Sequence, residues 1–140
     1  MINKEFKFTD FLGIERKEEH RFHLSYQELM TMELGEVGGF TALLKKLSDK
    51  LDVPELEKIL RIFIDKSYGI MSPDGRRFDK SPEILADFKA TPMYSDLYME
   101  LLSDSDKAWK FIEGILPTMT EEQKKQFSKA LEQQGLSNNV

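Results

Sequence analysis

The chain contains no cysteine, two histidines and a single tryptophan. Without cysteine there is no disulfide, no thiolate metal site and no cysteine nucleophile. No apolar run approaches the ~20 residues that a membrane-spanning helix needs, and the opening MINKEFKFTDF lacks the apolar centre of a secretion signal. Positive charge is also short. Twenty basic residues against 25 acidic ones leave a net charge of −5, so the chain as a whole has no electrostatic case for nucleic acid. Gly38-Gly39 is followed by no Gly-Lys-Ser/Thr and no G-x-G-x-x-G occurs, which makes this pair a break before a helix and not a phosphate loop. These absences point to an acidic protein of the cytoplasm with no cofactor, no metal and no membrane partner.

What is present is the material of one modest core. At 140 residues, 40% hydrophobic and 32% charged, the chain is of single-domain length and outside the disordered regime. Phe6 and Phe8 alternate with polar residues, Leu12-Gly13 offers a bend, Ile14–Glu19 is a charged run, and Arg21–Leu24 alternates again. A short N-terminal β-hairpin is expected, and it needs helices or a partner to be stable.

Helix signals then follow one another. Ser25-Tyr26-Gln27-Glu28 is a capping box, and Gly35 should end its helix. Apolar residues at helical spacing run from Phe40 to Leu51, and from Leu56 to Ile64 after Asp52-Val53-Pro54-Glu55, with Gly69 as the expected left-handed stop. Ser72-Pro73-Asp74-Gly75 is a tight turn, with Phe78 expected to tuck into the core beyond it. Ser81-Pro82 and Thr91-Pro92 each read as a hydroxyl N-cap followed by proline in the first turn. Ser103–Asp106 opens a helix that Pro117 stops, and Thr120–Gln123 opens a polar one ending at Gly135. The expected fold is α+β and mainly α: the hairpin, then about six or seven short helices around one core. Residues 1–117 would form the body, and 118–140 a polar helix and tail of the same domain.

Few residues invite chemistry. His20 and His23, three apart, fall on opposite faces of a pleat and suit a strand better than a metal. Asp104-x-Asp106 is too short for a calcium loop and reads as a helix cap. No pair of carboxylates is fixed across a cleft, so an enzyme is not expected. Arg76 and Arg77, with Lys66 and Lys80, form the one basic cluster, either a solvated turn or a contact for an acidic partner surface. The segment Met93–Leu102 is apolar on more than one face. Tyr94, Leu97, Tyr98 and Leu101 make one stripe, and Met93, Met99 and Leu102 lie outside it. Such spacing is ordinarily core, but methionine-rich apolar faces also adapt to helical partners. Both readings hold together if Tyr94 and Leu97 face inward while Met93 and Met99 face a partner.

The pieces YGIMSPDGRRFDKSPEILADF, ATPMYSDLYMELLSD and KFIEGILP, and the earlier DFLGIERKEEHRFHLSYQELMTMEL, resemble the tail assembly chaperones of tailed bacteriophages. The likeness spans roughly residues 10–117. It implies a non-enzymatic protein of virion morphogenesis in the host cytoplasm. Such a protein would hold apolar helical segments of the tape-measure protein, and of tail tube subunits, until the tube polymerises. The partner-binding residues would be Met93, Tyr94, Leu97, Tyr98, Met99 and Leu102, with Arg76 and Arg77 beside them. The alternative is a structural virion component, a head-tail connector or tail-completion subunit, that uses its N-terminal strands to extend a neighbour's sheet.

Overall fold

The computed structural model describes residues 1–31 and 53–116. Strands β1 (Ile2–Thr9) and β2 (Glu15–Phe22) form the expected hairpin, and helix α1 (Tyr26–Thr31) follows. The next described elements are α2 (Val53–Ser67), β3 (Tyr68–Met71), β4 (Phe78–Asp79), α3 (Pro82–Lys89), α4 (Pro92–Ser103) and α5 (Ser105–Ile115). Five helices are thus present among the described residues, fewer than six or seven. The helices expected at 40–51 and 120–134, and the stops at Gly35, Gly38-Gly39 and Pro117, lie outside them.

The sheet is larger than a hairpin. Its order is β1-β2-β3-β4, with every neighbour antiparallel. The charged run forms most of β2, paired with β1 from Thr9–Glu15 to Ile2–Phe22. Two features depart from the sequence reading, each for a local reason. Gly69 does not close a helix. It is a strand residue, because a Cβ there would lie 2.6 Å from the Phe78 ring and 2.8 Å from the Asp79 carbonyl, and only glycine lets β3 and β4 approach so closely. Phe78 is therefore a half-buried strand residue packed on Gly69. Thr91 does not cap α4. Its hydroxyl donates backwards to the Phe88 carbonyl at 2.7 Å and closes α3 instead.

Other caps are as the sequence indicates. Ser25 and Glu28 bond reciprocally, with the Glu28 amide donating to Ser25 Oγ at 3.1 Å and the Ser25 amide to the Glu28 carboxylate at 2.9 Å. Ser81 Oγ accepts from the Ile84 amide, and Asp104 from those of Asp106 and Lys107. Gly75 takes a φ of 75° in the turn between β3 and β4.

The core is centred on aromatic rings. Tyr68 stacks on Phe88 at 4.0 Å between centroids, and Phe22 meets Phe88, Tyr68 and Phe111 edge-on. Ile59, Leu60, Phe63 and Ile64 of α2, Met93, Leu97 and Leu101 of α4, and Phe111, Ile112 and Ile115 of α5 close round them.

One polar group ties the elements together beneath this core. Lys80 donates to the His23 carbonyl, to both carboxylate oxygens of Glu28 at 2.8 Å, and to the Lys66 carbonyl at 2.9 Å. Burial pulls the Lys80 ammonium below its ordinary value against the attraction of Glu28. Burial pushes Glu28 up, but the bonds from Lys80 and Ser25 outweigh it and hold the carboxyl down. Acceptors on three separate groups are what an ammonium's three hydrogens require. His23 is also held below its ordinary value, first by burial and then by the N-terminus and Lys80.

Three outcomes test this framework. Gly69→Ala should lower stability by about 1–3 kcal/mol in urea unfolding, because β4 must move away from the added carbon. Lys80→Met should cost about 2 kcal/mol by removing an ammonium from a half-exposed carboxylate and two carbonyls. Both His23 and Glu28 have lowered folded values, so each contributes stability at high pH that is lost on acidification. Melting temperature should therefore fall as pH drops below 6.5, the ordinary value for His23, and again below 4.5, that for Glu28. His23→Gln should flatten the first limb alone.

Candidate protein-binding surface

The residues singled out in the sequence do not form one surface. Met93 and Leu97 are buried to 2% and 1% exposure, and with Leu101 they make the inward stripe of α4. Tyr94 and Leu102 are half-buried and packed on the core. Tyr94 donates its hydroxyl to Asp65 at 2.7 Å, and burial followed by this bond raises its pKa well above the ordinary value. Tyr98 is half-buried beside Glu57 and Arg61. Of the α4 set only Met99 is open to solvent, at 53%. The expectation that Met93 and Met99 share an outward face is therefore corrected. A helix turns about 100° per residue, so six positions part them by most of a half-turn, and burial of Met93 against the neighbouring helices turns Met99 out.

Arg76 and Arg77 are exposed in the turn between β3 and β4, where Arg76 pairs loosely with Asp74 at 3.8 Å and Arg77 with Asp79 at 4.0 Å. Hydrogen bonds from the Ser72 hydroxyl and the Arg76 amide hold the Asp74 carboxyl below its usual range. This turn lies across the sheet from β1, whereas α4 reaches β1 through the Lys4–Glu100 ion pair at 3.0 Å. The arginines and Met99 are not brought together.

A surface the sequence reading passed over lies at the hairpin tip. Phe11 is 84% exposed, Leu12 85% and Ile14 56%. These are the largest apolar exposures among the described residues, and they sit in succession. The backbone beneath them is pinned. Asp10 Oδ1 accepts from the Leu12 and Ile14 amides, both at 2.9 Å, and Asp10 Oδ2 pairs with Arg16 at 3.1 Å. Asp10 and Ile14 also bond through their backbones, and Gly13, at φ 84°, completes the reversal. The three apolar side chains are thus displayed by a locked turn, in open water, with no core to serve.

The tip stands clear of the body. β3 pairs with β2 only at Arg21 and Phe22, so among the described residues no strand lies beside Glu15–His20 on that side. Just below the tip a cleft of about 440 Å³ is lined by Lys7, Phe8, Thr9, Glu15, Arg16 and Lys17, three cations against one carboxylate. At the base of the arm the same hairpin turns polar groups inward. The Glu18 carboxylate can only accept, so His20 Nε2 donates to it at 3.0 Å, and in the neutral ring Nδ1 accepts the Tyr68 hydroxyl at 2.9 Å. Burial, with Asp87 and Glu18 nearby, pushes Tyr68 up to about 12. The histidines thus serve the framework: His20 braces the arm against the core and His23 lends its carbonyl to Lys80. Among the described residues no helix is long and apolar enough to cross a membrane.

Substitution separates these roles. Met93→Ala should cost about 2–4 kcal/mol as a core truncation, whereas Met99→Asp should stay within about 0.5 kcal/mol of the parent. Urea denaturation of both variants checks the assignment.

A family model described as phage tail assembly chaperone matches residues 1–139. No curated protein and no solved structure gives a significant match.

Proposed function

The chain belongs to the phage tail assembly chaperone family, and from that premise we propose that it holds its client through the hairpin tip. The client is an amphipathic helical segment of the tape-measure protein, and of tail tube subunits where these display similar helices. The observation that carries this reading is the run of Phe11, Leu12 and Ile14, exposed at 84%, 85% and 56% on a turn locked by Asp10. Exposed apolar groups held rigidly lose little conformational freedom on binding, and a contiguous apolar patch marks an interaction site.

The charges beside the tip refine the client. Lys7, Arg16 and Lys17 border the apolar residues, so a helix with an apolar stripe flanked by Asp or Glu fits best. The net charge of −5 favours solubility of the loaded complex in the host cytoplasm. Met99, exposed on α4, is a further apolar contact for the same client, whereas Met93 and Leu97 hold the fold. Release requires no nucleotide on this reading. The growing tube would compete for the apolar stripe and strip the chaperone away.

The test is co-expression with the tape-measure protein, comparing the parent with a Phe11→Ser/Leu12→Ser double variant. The variant should melt like the parent, because neither side chain packs in the core, yet recover at least about tenfold less client, as expected when two central apolar anchors are lost. Equal recovery by the two proteins would overturn the tip as the client site.

A further inference from the structure

We propose that β1 is a self-pairing edge, through which two copies of this chain join, β1 against β1 in antiparallel, into one continuous sheet. β1 is the outer strand of the sheet. Its backbone pairs with β2, and among the described residues no other backbone bond reaches it. An eight-residue edge strand left open in this way is a template for a further strand unless charge or a covering element blocks it. Here the charges favour one occupant.

Along β1, Asn3, Glu5, Lys7 and Thr9 face solvent, while Ile2, Lys4, Phe6 and Phe8 turn toward the helices. A twofold axis at Phe6 sets Glu5 of one copy opposite Lys7 of the other, and Lys7 opposite Glu5. It also sets Phe6 against Phe6, Lys4 against Phe8 and Asn3 against Thr9. Every charged residue of the solvent face then meets its opposite. A slip of two residues either way, which keeps the same faces outward, puts Glu5 against Glu5 or Lys7 against Lys7. One register is attractive and its neighbours are repulsive, which is how a strand edge specifies both partner and alignment.

The hairpin itself supplies a second reason. Its own register sets Glu5 opposite Glu19 and Lys7 opposite Lys17, like charges directly across a ladder. Only a diagonal Lys17–Glu5 contact at 3.3 Å relieves the first, and Lys7 has no carboxylate within ion-pair range among the described residues. A second β1 brings the missing carboxylate to Lys7 and a further cation to Glu5. The open stretch of β2 is less suited. Self-pairing there at the register that matches Lys17 with Glu19 sets Glu18 against Glu18 at its centre. Pairing through β1 leaves the apolar side chains of both tips free at opposite ends of the joined sheet, with Lys7 the one residue common to the seam and the cleft below the tip.

Sedimentation velocity over a concentration series tests this with charge reversal. The parent should dimerise. Glu5→Lys and Lys7→Glu should each raise the dimer dissociation constant about tenfold or more, since each turns two attractive cross-strand pairs into like-charged ones. Mixing the two variants should restore dimers, because Glu5→Lys in one copy then faces Lys7→Glu in the other and the remaining pair is native. The Glu5→Lys/Lys7→Glu double variant should self-associate like the parent. A parent that stays monomeric, single variants that dimerise unchanged, or a mixture that fails to associate would each overturn the proposal. Circular dichroism confirms that both single variants are folded.

Discussion

The arrangement of this fold depends on where one ammonium group can find three acceptors. Lys80 reaches the carbonyl that follows β2, the carboxylate that caps α1, and a carbonyl in the last turn of α2. Two of them lie within five residues of each other and the third near the end of α2, and Lys80 comes to all of them from the far side of the β3–β4 turn. Fixing them sets how α1 leaves the sheet and where β3 begins. That in turn places Tyr68 beside Phe22 and Phe88. Burying a charge is unfavourable unless it is matched, so this position of the chain admits little slack. The aromatic core supplies most of the driving force through area removed from water. The Lys80 contacts join the end of β2, the start of α1 and the end of α2 beside that core.

From this anchored end the hairpin runs outward and changes character along its length. Phe6 and Phe22 belong to the core, His20 bridges to Tyr68, and beyond Glu18 both faces of β2 are solvated. The charged run of β2 suits such an arm: it pairs through its backbone, which any side chain allows, and resists collapse onto the body. A rigid arm carrying apolar residues at its end is a reasonable device for a tail assembly chaperone. On the proposed reading it would grip a client without putting at risk the side chains that hold the domain together. Had the grip been built from Met93 and Leu97, binding and folding would have competed for the same groups.

Much of the local structure was legible in the residues. The capping box at Ser25–Glu28, the caps at Ser81 and Asp104, the Ser72–Gly75 turn and the bend at Leu12-Gly13 all depend on contacts within five residues, and short-range chemistry decides them. The inward stripe of α4 was legible only in part. Apolar residues on several sides of a helix leave its rotation open, and the neighbours that pack on Met93, Leu97 and Leu101 settle it. The tip was missed because Phe11, Leu12 and Ile14 read as ordinary strand and turn residues. The signal that could have found them is that a bend defined by Asp10 and Gly13 holds three large apolar residues within four positions, where turns are usually polar.

By itself, then, the sequence determined an α+β chain with a hairpin, a series of separately capped short helices and a family likeness, because caps, turns and periodicity are local. Only the tertiary structure decided that Gly69 lies in a strand pressed against Phe78, that Lys80 joins the start of α1 to the end of α2, and that in α4 Met93 turns inward and Met99 outward. Those outcomes depend on which surfaces meet across the fold, and burial competes among all apolar faces at once. The exposed tip and the open edge of β1 are what remain when that competition is over.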